Sequence, residues 1–246
     1  MKILNKYYEA LDVLIEGNNE SSETIIFAHG FGTNKNEGGK LFLDISNILK
    51  EKFRIIRFDF SGYGESEGNQ EGVNLHKQAE DLESILNYTK SNYSGKVSII
   101  AHSMGTYVTC LLSPDGINKT IFTGMPNTDM TERVKDLQKR IINKGGFINE
   151  QGISSYPRSN GSIQKLGASF WSAMREFQPA EALKNYSKKT SITIFKPMQD
   201  EIIGNESFEE YKNIPNVNFV ELTGDHNFTN QVDREVLIKK IVEVLG

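Results

Sequence analysis

Short runs of apolar and β-branched residues alternate along this chain with longer stretches whose apolar residues recur at helical spacing. One run, Thr24–Ala28, is apolar almost throughout, which is typical of a strand buried on both faces of a parallel sheet. The alternation predicts βαβ units, and therefore an α/β fold with a mostly parallel sheet between layers of helices. The predicted strands are Ala10–Glu16, Thr24–Ala28, Phe53–Phe58, Lys96–Ala101, Lys119–Thr123, Ser191–Phe195 and Val217–Glu221.

Three apolar stripes at helical spacing predict helices that pack on this sheet. The stripes are formed by Leu41, Ile45, Ile48 and Leu49; by Leu75, Ala79, Leu82, Ile85, Leu86 and Tyr88; and by Val232, Val236, Leu237, Ile241 and Val244. In open sheets of this class, ligands bind beyond the carboxyl ends of the strands. Residues that directly follow a predicted strand are therefore the first candidates for a functional site.

Residues 125–177 show no clear alternation of strands and helices. This segment contains several glycines and the chain's only tryptophan, Trp171, and its one helical pattern covers Thr131–Asn143. A segment this long inside a compact domain is usually a lid or a binding loop. We predict a core formed by residues 1–124 and 178–246, with residues 125–177 inserted as a lid over the carboxyl edge of the sheet.

The 246 residues carry a formal net charge of -4 and a single cysteine, Cys110. This charge is too small, and of the wrong sign, to suggest a nucleic acid or an anionic membrane as partner. One thiol cannot form a disulfide within the chain. No apolar run reaches the roughly 18 residues of a membrane-spanning helix, and the N-terminus lacks the features of a signal peptide. We expect a cytoplasmic protein that is a monomer or a homodimer.

The strongest chemical signal is the pentapeptide Ala101–Gly105, with the sequence AHSMG. It directly follows a predicted buried strand and begins an apolar helix, which is the strand–turn–helix context of a nucleophile elbow. Small residues two before and two after Ser103 allow a tight turn that exposes the hydroxyl. Alone, the serine could also be an ordinary helix cap.

The second signal is the loop His29–Gly32, with the sequence HGFG, directly after the strand that ends at Ala28. Enzymes that transfer acyl groups stabilise a developing oxyanion with backbone N–H donors aimed in advance. We assign one donor to Phe31 and the other to Met104, the residue after the predicted nucleophile. His29 then has a structural role in holding the loop. The alternative is an ordinary glycine turn.

A general base is expected late in the chain if the catalytic groups follow the order Ser, Asp, His. The chain has four histidines, of which His29 and His102 belong to the two motifs above. His76 lies among polar residues at the start of a predicted helix, as a surface residue would. His226 remains, and it directly follows the last predicted strand.

The acid that orients this histidine should follow the preceding strand, where Asp200 and Glu201 are adjacent. A carboxylate there can accept the imidazole Nδ1–H and stabilise the imidazolium that forms. The residues alone leave both candidates open. Asp225 is the immediate neighbour of His226 and is poorly placed to reach the same ring.

Together these motifs resemble the α/β-hydrolase superfamily, and in detail the small bacterial cinnamoyl and feruloyl esterases and related carboxylesterases. The resemblance is carried by the elbow and by three further segments, His29–Asn36, Arg57–Gly68 and Val73–Lys90. It implies an α/β-hydrolase fold with a small lid and no metal or organic cofactor. It favours Asp200 over Glu201, so that the implied triad is Ser103, Asp200 and His226, with Phe31 and Met104 as oxyanion donors. The chain departs from the family in having Ala101 where the elbow usually has glycine.

The expected reaction is hydrolysis of a small carboxylic ester through an acyl-enzyme. Aromatic residues of the predicted lid could line the acyl or aryl pocket, or could simply pack the lid onto the core; they include Phe147, Tyr156 and Trp171. Two alternatives remain open, because a fold does not fix a substrate. One is hydrolysis of an amide, peptide or thioester with the same residues, and the other is a binding protein without catalysis.

Overall fold

The computed structural model describes all 246 residues and contains ten strands and eight α-helices. The strands are β1 (Lys2–Leu4), β2 (Ala10–Gly17), β3 (Glu23–Ala28), β4 (Arg54–Phe58), β5 (Lys96–His102), β6 (Ile117–Thr123), β7 (Ser154–Pro157), β8 (Ile163–Leu166), β9 (Ser191–Pro197) and β10 (Val217–Leu222). The helices are α1 (Leu41–Leu49), α2 (Leu75–Asn92), α3 (Met104–Leu112), α4 (Met130–Asn143), α5 (Ala168–Glu176), α6 (Pro179–Tyr186), α7 (Glu209–Lys212) and α8 (Gln231–Leu245). Two single-turn 3-10 helices lie at Gly38–Lys40 and Gln70–Gly72. None of the helices is both long and apolar enough to cross a membrane.

Eight strands form one sheet in the order β1-β2-β4-β3-β5-β6-β9-β10. Strand β2 pairs antiparallel with β1 and β4, and all other pairs in this sheet are parallel. The predicted α/β class and mostly parallel sheet are confirmed, and all seven predicted strands are present. Strand β1 was not predicted, because three residues are too few to show a period.

Two apolar cores cover the two faces of the sheet, which explains why its central strands are apolar at consecutive positions. In β3, Ile26 and Ala28 point into the larger core, while Ile25 and Phe27 point into the smaller one. Helices α2 and α3 pack on the first face, and α1 and α8 on the second. Because each buried side chain of this size stabilises the fold by roughly 1.5–3 kcal/mol, both faces hold β3 in register.

Helix α8 differs from its predicted apolar stripe. Leu237 and Ile241 are buried as expected, but Val232 is 67% exposed and Val236 is 44% exposed. The long side chain of Arg234 occupies part of the buried face instead, where it pairs with Asp44 and donates to two backbone carbonyls. An arginine can cover apolar surface with its stem while its terminal nitrogens are hydrogen-bonded, so a stripe drawn from apolar residues alone misplaced the buried face.

Residues 125–177 contain α4, the antiparallel hairpin β7–β8 and α5. Helix α4 matches the predicted Thr131–Asn143 to within one residue, whereas the hairpin was not predicted. Its strands have only four residues each, and their mixed polar sequence gives little β signal. Val134, Leu137 and Ile141 of α4 pack into the larger core.

Candidate active site

Ser103 occupies the turn between β5 and α3 in a strained conformation, with φ of 51° and ψ of -123°. Side chains other than glycine rarely adopt positive φ, so the surrounding packing must enforce it. Gly105 makes the turn possible, because a Cβ there would lie 2.3 Å from the carbonyl oxygen of Ala28. Ala101 is fully buried in β5 between its neighbouring strands, so the sheet accommodates alanine where related motifs have glycine.

A continuous chain of hydrogen bonds joins Ser103, His226 and Asp200. The Ser103 Oγ lies 3.0 Å from His226 Nε2, and His226 Nδ1 donates to Asp200 Oδ2 at 2.6 Å. The three residues follow β5, β10 and β9, whose carboxyl ends meet at one edge of the sheet. The structure therefore brings together three residues that are far apart in the sequence, in an arrangement that can pass a proton from the hydroxyl to the imidazole.

Asp200 is held from both sides. Its Oδ1 accepts hydrogen bonds from the amides of Ile202 and Ile203 at 2.8 and 3.0 Å, while its Oδ2 binds His226. Its side chain is fully buried. Glu201 is exposed and makes no hydrogen bond to His226. Of the two carboxylates considered from the sequence, Asp200 is the one that contacts the ring.

A second histidine packs against the ring of His226. The centroids of His102 and His226 are 4.7 Å apart, and His102 Nδ1 lies 2.9 Å from Thr123 Oγ1. Burial, reinforced by the neighbouring His226, lowers the pKa of His102 well below its ordinary value. His102 is therefore neutral and does not repel an imidazolium at position 226. Gly124 leaves room for both rings, since a Cβ there would lie 2.8 Å from His102 and 3.2 Å from His226.

The loop His29–Gly32 lies beside the serine. The amides of Phe31 and Met104 donate no hydrogen bond within the chain. His29 Nδ1 donates to the Gly30 carbonyl at 2.9 Å, and its Nε2 accepts from the amide of Phe60 at 3.0 Å. Burial lowers the pKa of His29 to about 4, so the ring stays neutral and holds the loop, as expected.

Glu37 is a residue of this site that the sequence analysis missed. Its carboxylate accepts from the amides of Gly30 at 2.5 Å and Gly38 at 2.7 Å. It is buried at 8% exposure and has a positive φ of 62°. Burial raises its pKa to about 7, against the opposing effect of the two amides and His226. Because it binds Gly30, it fixes the loop that carries Phe31.

A cavity of about 420 Å³ opens at Ser103 and His226. Its floor is the carboxyl edge of the sheet, with Phe31 and Met104 among the lining residues, and its wall comes from residues 125–177. Four cations line it, namely Arg133, Arg140, Lys144 and Arg158. The only acid in the lining is Glu37.

The three predicted pocket residues are placed differently. Tyr156 lines the cavity and is 5% exposed. Phe147 lies outside the lining and is 60% exposed, and its backbone pairs with Ser155 of β7. Trp171 is buried at 1% exposure and also lies outside the lining, with its Nε1 donating to Ser154 Oγ at 3.0 Å. The largest aromatic residue thus packs the segment onto the core.

No group of three or more histidine, cysteine, aspartate or glutamate side chains is arranged to hold a metal ion. Cys110, the only thiol, is buried on α3, and burial raises its pKa far above the ordinary value.

The sequence model of a family described as the alpha/beta hydrolase fold matches residues 23–139, which include Phe31, Ser103 and Met104. The protein has the α/β-hydrolase fold. Among solved structures, this chain is similar to Est1E from Butyrivibrio proteoclasticus with bound ferulic acid (TM-score 0.77, 19% identity, 100% of this chain and 97% of that chain). It is also similar to the esterase Pf2001 from Pyrococcus furiosus (TM-score 0.72, 20% identity, 100% of this chain and 90% of that chain). At these identities the likeness concerns the fold, and the predicted resemblance to bacterial esterases is confirmed at that level.

Among curated proteins, this chain is similar to an uncharacterized protein of Acanthamoeba polyphaga mimivirus. The two are 26% identical over 229 residues, which cover 88% of this chain and 71% of the viral one.

Proposed function

We propose that this α/β-hydrolase is a serine hydrolase that cleaves carboxylic esters through an acyl-enzyme. The observation that carries the proposal is the chain of hydrogen bonds from Ser103 through His226 to Asp200, at 3.0 and 2.6 Å. A serine at a strained elbow, bonded to a histidine whose other nitrogen is bonded to a buried acid, is the arrangement that activates a hydroxyl as nucleophile.

In the first half of the reaction, the Ser103 Oγ attacks the ester carbonyl while His226 Nε2 takes the hydroxyl proton. Asp200 holds the Nδ1–H tautomer and stabilises the imidazolium that forms. The tetrahedral intermediate collapses, the C–O bond to the alcohol breaks, and His226 returns its proton to the leaving alkoxide. Water then attacks the acyl-enzyme with His226 again as base, which releases the acid and restores Ser103.

The amides of Phe31 and Met104 stabilise the oxyanion. Neither has an acceptor within the chain, and Met104 is the first residue of α3, where the helix dipole favours negative charge. The contacts of His29 and Glu37 to Gly30 hold the neighbouring loop in place before the substrate arrives. Donors that need no reorganisation contribute most to stabilising such an intermediate.

Small aryl or short acyl esters fit the site best. The cavity of about 420 Å³ lies in the range of roughly 300–1,000 Å³ typical of small-molecule pockets. Phe31 stacks with Tyr156 and Phe170, at centroid distances of 6.3 and 5.3 Å, and offers an aromatic surface at the serine. Est1E, the similar esterase, binds ferulic acid in its structure. We further propose that residues 125–177 act as the lid over this site.

The test measures initial rates on p-nitrophenyl acetate, butyrate and octanoate and on methyl ferulate. Wild type is compared with Ser103→Ala and with Ser172→Ala, a matched control on the exposed side of α5. We expect wild type and the control to cleave at least one ester, and Ser103→Ala to cleave none. Equal rates for wild type and Ser103→Ala would overturn the proposal. Cleavage of amide or thioester analogues but of no oxygen ester would replace the proposed esterase with an amide or thioester hydrolase that uses the same residues.

A further inference from the structure

The basic wall of the cavity, formed by Arg133, Arg140, Lys144 and Arg158, is the least expected feature of this chain. The protein as a whole has an excess of acidic residues, 32 against 28 basic ones. The lining nevertheless contains four cations and one acid, and burial raises the pKa of that acid, Glu37, to about 7. The positive charge is therefore concentrated where the substrate must lie.

Helix α4 and Lys144, the residue that ends it, supply three of these cations from one face. Arg133, Arg140 and Lys144 are separated by seven and four positions, and Leu137, which lies between them at helical spacing, also lines the cavity. Residues at such spacings share one side of a helix. The face of α4 that carries these charges adjoins the face that packs into the core, shares Leu137 with it and lines the cavity.

Most of the wall lacks a carboxylate partner. Arg133 pairs with Asp136 at 2.7 Å, but Arg140, Lys144 and Arg158 form no ion pair. The guanidinium of Arg140 donates only to the carbonyl of Ile202, at 3.3 Å, and its buried Nε has no partner. Burial, with repulsion from Arg133 and Arg158, lowers the pKa of Arg140. Arg140 and Arg158 are half-buried, and such charges are normally paired, so these two arginines have donors left for an anion.

Arg158 connects the wall to the loop His29–Gly32, which carries the proposed oxyanion donor Phe31. Its guanidinium stacks on Tyr156 at 4.8 Å and on Phe31 at 5.7 Å, and it donates to the Gly32 carbonyl at 3.2 Å. Gly32 permits this approach, since a Cβ there would lie 2.8 Å from the Arg158 Cζ. A guanidinium fixed in this way presents a planar fork that suits carboxylate and phosphate oxygens.

We propose that the basic wall binds an anionic group of the substrate, so that the preferred ester carries a carboxylate or a phosphate away from the bond that is cleaved. The inference deepens the proposed function and rests on it. The anion takes no part in bond breaking; it orients the ester so that its carbonyl faces Ser103. Such remote binding should lower KM for anionic esters more than it raises kcat.

The test uses esters matched in chain length. Ethyl hexanoate, monoethyl adipate and ethyl 5-phosphonopentanoate end in a methyl, a carboxylate and a phosphonate, so the last two separate the two anion classes. Pentyl acetate and 5-acetoxypentanoate make the same comparison with the methyl or the carboxylate on the alcohol part of the ester. We expect wild type to prefer an anionic ester by at least about tenfold in kcat/KM, as one charged hydrogen bond would give. Equal or lower kcat/KM for all anionic esters would overturn the inference.

Arg140→Gln and Arg158→Gln test the assignment, with Lys135→Gln as the control. Lys135 is an exposed cation on the same helix that forms no ion pair and does not line the cavity. Each arginine variant should lose about tenfold of the preference for the anionic ester, mainly through KM, and the control should keep it. A role in folding alone would lower the rates on neutral and anionic esters together, and an unchanged preference would contradict the assignment.

Calorimetric binding to Ser103→Ala separates this inference from the proposed function. Tighter binding of monoethyl adipate or the phosphonate than of ethyl hexanoate, reduced in the double variant with Arg140→Gln, supports the basic wall even if wild type cleaves no ester. Cleavage of neutral esters without any preference in binding or rate would keep the hydrolase and overturn the anion site.

Discussion

The two sides of the cavity are built differently. On the sheet side, Ser103, His226 and Asp200 are paired with one another, and the remaining oxygen of Asp200 is bonded to backbone amides. On the opposite side, Arg140 and Arg158 face the same cavity with no carboxylate partner. The groups of the sheet side are paired within the chain, whereas Arg140 and Arg158 have donors left for the proposed anion. We infer that the first side supplies reactivity and the second supplies selection.

The difference follows from how each side is held. Ala28, Ala101 and Phe122 are in register on adjacent parallel strands, so the residues after them emerge at neighbouring points. A hydrogen-bonded sheet fixes these positions against movement. The basic wall depends instead on one face of α4 and on a four-residue hairpin strand outside the main sheet.

The largest expected effect is on the sheet side. Replacing Ser103 with alanine should lower kcat by roughly 10⁶-fold if the three residues act as a unit. The measurement is single-turnover kinetics on the best ester of the panel, with circular dichroism to show that the variant is folded. If the variant retained more than about a hundredth of the wild-type kcat, Ser103 would not be the nucleophile.

The second effect tests the choice of acid. Asp200→Asn should lower kcat by roughly 10⁴-fold, because the amide no longer fixes the tautomer of His226 or stabilises its charged form. Glu201→Gln is the matched control, since this neighbouring carboxylate is exposed and does not contact the ring. Similar kcat values for the two variants would remove Asp200 from the site.

The third prediction concerns Glu37, which joins the two sides as the only acid in the cavity. Its pKa is raised from an ordinary 4.5 to about 7 in the folded protein, so below pH 4.5 the group is protonated in both states and its contribution to stability is fully present. As pH rises to 7 the unfolded chain loses the proton first, and stability is lost. The free energy of unfolding of wild type relative to Glu37→Gln should fall by about 3 kcal/mol between pH 4.5 and 8, at about 1.4 kcal/mol for each pKa unit.

Urea denaturation of both proteins across this range measures the effect. Parallel curves of unfolding free energy against pH would show that Glu37 ionises as easily in the cavity as in the unfolded chain. If the unfolding free energy of wild type instead rose with pH relative to that of Glu37→Gln, the pKa of Glu37 would be lowered in the folded protein. The carboxylate would then be stabilised by its two amides and by His226.

The smallest expected effect is that of salt on the preference between anionic and neutral esters, which depends on the basic wall and not on the sheet side. Charges that are partly exposed are screened over about 10 Å at 0.1 M salt, whereas buried pairs are screened much less. Raising sodium chloride from about 0.05 to about 0.5 M should lower the preference for monoethyl adipate over ethyl hexanoate about threefold. The rate on ethyl hexanoate should change little. A preference independent of salt would contradict a charged wall.

The sheet side was largely predictable from the sequence because its signals are local. Ser103 lies between a buried strand and an apolar helix, and His226 and Asp200 each follow a strand, so their meeting at one edge follows from parallel topology. Gly124 and Glu37 were missed because their roles arise only in three dimensions. A glycine after β6 and a glutamate in a loop have no distinguishing pattern until His226 and Gly30 are placed beside them.

The other side was predicted less well. The basic spacing on α4 is visible in the sequence, but a charged helical face usually lies in solvent, and only packing shows that it lies over a cavity. Two of the three aromatic residues predicted for the pocket lie outside it, and only packing could show this. Trp171 is large and apolar, which fits a pocket and a core equally well, and the structure buries it in the core. The extent of the predicted lid, residues 125–177, stays a prediction.

The central claim is that Ser103 is the nucleophile activated by His226, and a fluorophosphonate probe tests it most directly. Intact-mass and peptide mass spectrometry would follow labelling of wild type, Ser103→Ala and His226→Ala. We expect one label per wild-type chain, on Ser103, with none on Ser103→Ala and much slower labelling of His226→Ala. No labelling of wild type, or a label on another residue that persists in Ser103→Ala, would contradict the claim.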